Sequence, residues 1–168
     1  MPDWPLKDFG LELLPALFGR ITLAPAVWHE VVVRGQGRSG STEVLNANWI
    51  DLTEVRDMQA VEMLREERGA GESQSMVLAQ ELRASLVILD HARARCKAQQ
   101  LGLPIAGTAA LLHRARELAL IADAMAEIDA LRRVGFRVEC STRHARKRVN
   151  PRPLQLQTDV HAILLATR

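Results

Sequence analysis

Apolar positions along the chain follow two rhythms, a helical one and short unbroken runs, and the two alternate. Leu11, Leu14 and Phe18 repeat at helical spacing over 8–18, with Pro15 set awkwardly among them. Residues 21–24 (ITLA) are a short apolar run, read as a strand. Pro25 then stands at a helix start, where its missing N–H costs nothing, and that helix is predicted to reach about Arg34. Residues 35–43 (GQGRSGSTE) read as a loop, and 48–53 (NWIDLT) as a short strand. Met58, Val61 and Leu64 share one face of a helix from Asp57 to about Glu67, and Glu72 opens the next, with Met76, Ala79 and Leu82 on one side. The run 85–89 (SLVIL) is apolar after its first residue, as a parallel strand buried on both faces requires. A helix from His91 to Leu101 follows, ended by Gly102, then a strand at 103–106 (LPIA). Helices are predicted over 107–118 and 123–134, and a final strand at 136–139 (FRVE).

Strands alternating with helices predict an α/β fold, with helices on both faces of a central, mostly parallel sheet. Such sheets bind ligands beyond the carboxyl ends of their strands, so residues just after strands and at helix starts are the ones to weigh.

The chain's 168 residues suit one domain, and a 25 % charged composition is ordinary for a soluble one. No apolar run approaches the roughly 20 residues of a membrane span, and MPDWPLKDFG carries no apolar leader. Cys96 and Cys140 lack metal-type spacing, and the five histidines are scattered. A reducing cytoplasm is the expected setting. The net charge of +2 hides an asymmetry: from Ser141 to Arg168 six basic residues face one acid. The chain is therefore expected to divide into a domain over 1–140 and a poorly ordered basic tail over 141–168, with DVHAILLA in it as a short helix. Such a tail suits either solvent or nucleic acid.

Three acids occupy site positions. Asp90 directly follows SLVIL, where it either caps the next helix or points into a site. Glu72, in GAGESQ, falls in a helix first turn, where the helix dipole alone accounts for an acid. Glu30 lies in the apolar stretch PAVWHEVVV and needs water, a partner or a metal. GQGRSG matches a dinucleotide-binding pattern, but STEVLNANW is a poor helix to follow it, so the glycines read as a loop. No nucleophile elbow is present. Carboxylates at strand ends suit a hard cation and metal-assisted phosphodiester hydrolysis.

Several motifs in order resemble the toxin-type (VapC-like) branch of the PIN-domain family. They are LFGRITLAPAVWHE ending at Glu30, GESQS from Gly71, LVILDHARAR over 86–95, LGLPIAGT ending at Thr108, and LRRVGFR ending at Arg137. The resemblance covers about 11–139. It implies a three-layer α/β/α fold and a Mg²⁺- or Mn²⁺-dependent endoribonuclease of toxin–antitoxin systems. Its metal ligands and catalytic acids would be Glu30, Glu72 and Asp90, clustered within reach of one cation. Arg95 would orient an acid or a phosphate, and Thr108 would place a hydroxyl beside them. RNA, a cognate antitoxin and a second copy of the chain are the implied partners. Three departures qualify this. The family's opening strand, ending in Asp-x-x-Pro-Leu, is missing ahead of Leu11; its Asp-Asp is here Asp90-His91; and the basic tail is foreign to it. They imply an impaired enzyme, or an inactive module that pairs with an antitoxin or with itself.

Overall fold

The computed structural model describes residues 12–37, 40–65, 69–133 and 162–164. Helix α1 (Leu13–Phe18) ends at Gly19, whose positive φ of 70° lets the chain turn into β1 (Ile21–Leu23). α2 (Pro25–Trp28) starts on Pro25 as expected. It then widens into a π-helical turn over His29–Val33, which the sequence rhythm does not distinguish from α-helix. A helix, α3 (Ser41–Asn46), begins inside the stretch read as a loop. Its start is held by the Glu43 carboxylate, which accepts the Gly40 N–H at 3.0 Å; a poor helix former on propensity is rescued by that bond. β2 (Ile50–Leu52), α4 (Met58–Arg65) and α5 (Ala70–Glu81) follow near their predicted places. α4 is capped by Asp57, whose Oδ1 accepts the Ala60 N–H at 2.9 Å.

The second half also keeps to its pattern: β3 (Leu86–Ile88), α6 (Ala92–Gln100), β4 (Ile105–Ala106), α7 (Thr108–Glu117) and α8 (Ala124–Arg133). Gly102, at φ 71°, follows α6 as the predicted stop. The strand expected at 136–139 lies outside the described residues, as does the poor order expected over 141–158. The helix expected in DVHAILLA is corrected at Ala162–Leu164, which form a strand, β5. Its run AIL suits either periodicity, and the empty place between two parallel strands decides for extended chain.

All described strand pairings are parallel, and the order is β2-β1-β5-β3-β4. The α/β fold with a parallel central sheet is thus observed. Ile21, Leu23, Val87, Ile88 and Leu89 are all buried, so the middle strands are covered on both faces. The main core joins them to Val27 of α2 and to Met76, Leu78 and Ala79 of α5. Each of the larger side chains among them contributes about 1.5–3 kcal/mol by leaving water. A smaller cluster, Ala109, Leu112, Ala124 and Ile128, joins α7 to α8. Among the described residues no helix is long and apolar enough to cross a membrane.

Candidate functional site

Glu30, Glu72, Asp90, Arg95 and Thr108 are all half-buried; Asp90 contacts Thr108, Glu72 faces His91, and Glu30 lies against Gly71. Glu30 comes from the π-helical turn beyond β1. That turn closes through the Arg34 N–H, which donates to the His29 carbonyl at 2.9 Å, the long-range bond of a π-helix. A Cβ on Gly35 would lie 2.0 Å from the Val31 carbonyl oxygen, so only glycine lets the turn end there. Widened turns of this kind re-aim side chains, and this one carries the acid.

The Glu30 carboxyl lies against Gly71, in the first turn of α5; a Cβ there would meet Glu30 Oε2 at 3.1 Å. Glu72 is the next residue. The two helices are also tied by Gln74, whose Oε1 accepts the Ala26 N–H at 2.9 Å. On its other side Glu72 faces His91, with Oε1 3.8 Å from Nδ1, an electrostatic contact rather than a hydrogen bond. Glu72 is 17 % and His91 46 % exposed, so the acid is sheltered while the imidazole is open to solvent.

Asp90 does not cap the helix that follows it; α6 has His91 at its N-cap, with no side-chain bond there. Its carboxylate reaches across to α7 instead. Oδ1 accepts the Thr108 N–H at 2.8 Å, and Oδ2 accepts the Thr108 hydroxyl. Thr108 is the first residue of α7, so the acid also meets the positive end of that helix. A Cβ on Gly107 would lie 3.2 Å from both Asp90 Oδ1 and Arg95 Nη1. The missing side chain lets carboxylate and guanidinium approach over the same residue.

The predicted residues are therefore brought to one rim, together with His91. Sequence reasoning overlooked Gly71, Gly107 and Gln74; glycines just before or inside a helix start were the available signal for the first two. The expected convergence of three acids on one point is not realised in this conformation. Among the described residues, no three His, Cys, Asp or Glu side chains meet closely enough to hold a cation. Thr108 occupies both oxygens of Asp90, and Glu72 faces His91. In kind the donor set fits a hard divalent ion, since carboxylate oxygens are what Mg²⁺ and Mn²⁺ prefer. Two of the acids also lie against glycines that leave them room.

Compared with known families, residues 8–149 match a family model described as DUF3368, PIN domain. No curated protein matches the chain, and no solved structure does.

Proposed function

The chain belongs to the PIN-domain family, whose members are in general nucleases that use divalent metal ions, and from this premise we propose that it is a metal-dependent endoribonuclease of the toxin–antitoxin type with weakened activity. One observation carries the reading: Glu30 lies against Gly71, the neighbour of Glu72, and Glu72 faces His91, the neighbour of Asp90, so three separate elements bring these acids to one end of the sheet. Acids that merely cap their own helices have no reason to gather at one end of the sheet.

Glu30, Glu72 and Asp90 would hold a Mg²⁺ or Mn²⁺ ion. When bound, it supplies positive charge against the charge that develops on an RNA phosphate during hydrolysis. Thr108 orients Asp90 through two donors. Arg95, whose Nη1 shares the space over Gly107 with Asp90, would pair with a phosphate oxygen. The basic stretch Arg146-Lys147-Arg148 adds charge for the RNA backbone. A cognate antitoxin and a second copy of the chain are the protein partners of this reading, and the cytoplasm its setting.

The test is cleavage of a mixed RNA pool with Mg²⁺ or Mn²⁺. We expect slow cleavage that EDTA stops and that falls at least tenfold in Glu72→Gln. Cleavage indifferent to both would overturn the proposal. A second reading, an inactive module that binds RNA or an antitoxin, is favoured by the double hold of Thr108 on Asp90 and by the absence of a converged triad. Its signature is RNA binding insensitive to EDTA, with no cleavage at all.

A further inference from the structure

The strand order β2-β1-β5-β3-β4 is the doubly wound order 3-2-1-4-5 with one change. In that order the first strand of the chain is central, the next two lie to one side, and the rest to the other. Here the first described strand, β1, lies to one side of the centre, and the central place belongs to the last described strand. Residues 162–164 pair with β1 through Ile21↔Ala162 and Thr22↔Ile163. They pair with β3 through Leu86↔Ala162, Val87↔Ile163 and Ile88↔Leu164.

We propose that the gap between β1 and β3 is an acceptor for one parallel strand, filled in this structure by residues 162–164. β1 and β3 are buried on both faces, so an empty gap would leave two rows of N–H and C=O groups unpaired beside an apolar core. Water cannot serve them there, and the occupant must be extended, apolar on both sides and free of proline. Within 141–168 the run Ala162 to Ala166 (AILLA) meets that description, whereas ARKRVNPRP does not. The 28 residues from 134 to 161 join it to α8, a span that in flexible chain reaches roughly 30 Å. The gap takes one strand at a time, so any second candidate competes with β5.

The occupant matters for the rim, because Leu164 is level with Ile88 and Asp90 stands two residues further on. Leu165 and Ala166, next after Leu164, are apolar. A different occupant ending in Asp would supply a carboxylate that this one lacks. That last consequence rests on the nuclease reading; the acceptor gap itself does not.

Cross-linking tests the gap without reference to activity. In a chain with Cys96→Ser and Cys140→Ser, Leu86→Cys and Ala162→Cys are register partners across a strand spacing of about 4.8 Å, inside the Cα separation that disulfides accept, roughly 4.4–6.8 Å. Oxidation is expected to give an intramolecular cross-link in most of the monomer. Moving one cysteine out of register, with Asp159→Cys replacing Ala162→Cys, should lower the yield severalfold. Fusing a second apolar strand ahead of residue 11 should lower the in-register yield severalfold as well. Failure to cross-link, or equal yields in and out of register, would overturn the placement of β5. An in-register yield unmoved by the fused strand would overturn the acceptor proposal. Ile163→Pro offers a further measurement: a labelled peptide of residues 159–168 should bind that variant and not the parent chain, and equal binding to both would contradict single occupancy.

Discussion

Both oxygens of Asp90 are held by one residue, Thr108, through a backbone N–H and a hydroxyl. Hydrogen bonds to a charged acceptor contribute about 1.5–3 kcal/mol. Thr108→Val keeps the shape and removes the hydroxyl donor. It should therefore lower stability by about 1–3 kcal/mol, read as a lower urea midpoint at unchanged slope. An unmoved midpoint would mean that Asp90 finds an equal partner elsewhere. Gly107→Ala puts a Cβ 3.2 Å from both Asp90 Oδ1 and Arg95 Nη1, so both must give way. It is expected to weaken RNA binding severalfold while altering stability less than Thr108→Val does. Ser73 and Ser75 present the opposite case. Their hydroxyls are buried without a hydrogen-bond partner among the described residues. Ser73→Ala and Ser75→Ala should be neutral or stabilise by up to about 1 kcal/mol, since an unpaired buried hydroxyl is a cost. At this scale the acids were legible in sequence, because residues after strands and at helix starts are few. Spacing alone left Asp90 either a cap for α6 or a site residue; the resemblance put the Thr108 hydroxyl beside the acids, and the structure bonds Thr108 to Asp90 at the start of α7.

The π-helical turn shows what an element can do that its sequence does not announce. PAVWHEVVV has the apolar spacing of an α-helix, and one extra residue in a turn leaves that spacing nearly unchanged. The turn is nonetheless fixed by Gly35, where a Cβ would fall 2.0 Å from a backbone oxygen that cannot move aside cheaply. Gly35→Ala is expected to cost about 1–3 kcal/mol, as overpacking does. It should also shift Glu30 from Gly71, seen as changed amide chemical shifts at residues 70–72. Unchanged shifts and stability would show that the turn tolerates a side chain. α3 makes a related point, since its start depends on the bond from Gly40 to Glu43 more than on helix propensity. α5 is the element most constrained by its neighbours: it packs on both α2 and α4 and buries most of its first ten residues. That explains why a helix with no clear apolar stripe is stable here.

Across the whole molecule, charge and sheet order carry the remaining arguments. A net charge of +2 is small, but the excess of basic residues falls in one stretch. Replacing Arg146, Lys147 and Arg148 by Glu should weaken RNA binding and flatten its dependence on salt. Each lost phosphate contact lowers the log–log slope by about 0.7 for single strands. A filter-binding series in salt reads this directly, and an unchanged slope would remove the basic stretch from the interface. The rim depends on elements distant in sequence: β1 leads to Glu30, α5 carries Glu72, β3 leads to Asp90, and β5 closes the sheet between them. Loosening β5 is therefore expected to disturb the rim even though β5 contributes no acid to it.

Sequence by itself determined the alternation of strands and helices, the two-faced burial of Val87, Ile88 and Leu89, the stop at Gly102 and the acids worth examining. These follow from local physics: periodicity, propensity and the special conformations of glycine and proline. Tertiary structure alone decided which apolar run stands between β1 and β3, and which groups face Glu30, Glu72 and Asp90. The physical reason is that backbone hydrogen bonds between parallel strands are nearly blind to side-chain identity. Any extended apolar segment of fitting length competes for such a gap, and long-range geometry selects among the candidates.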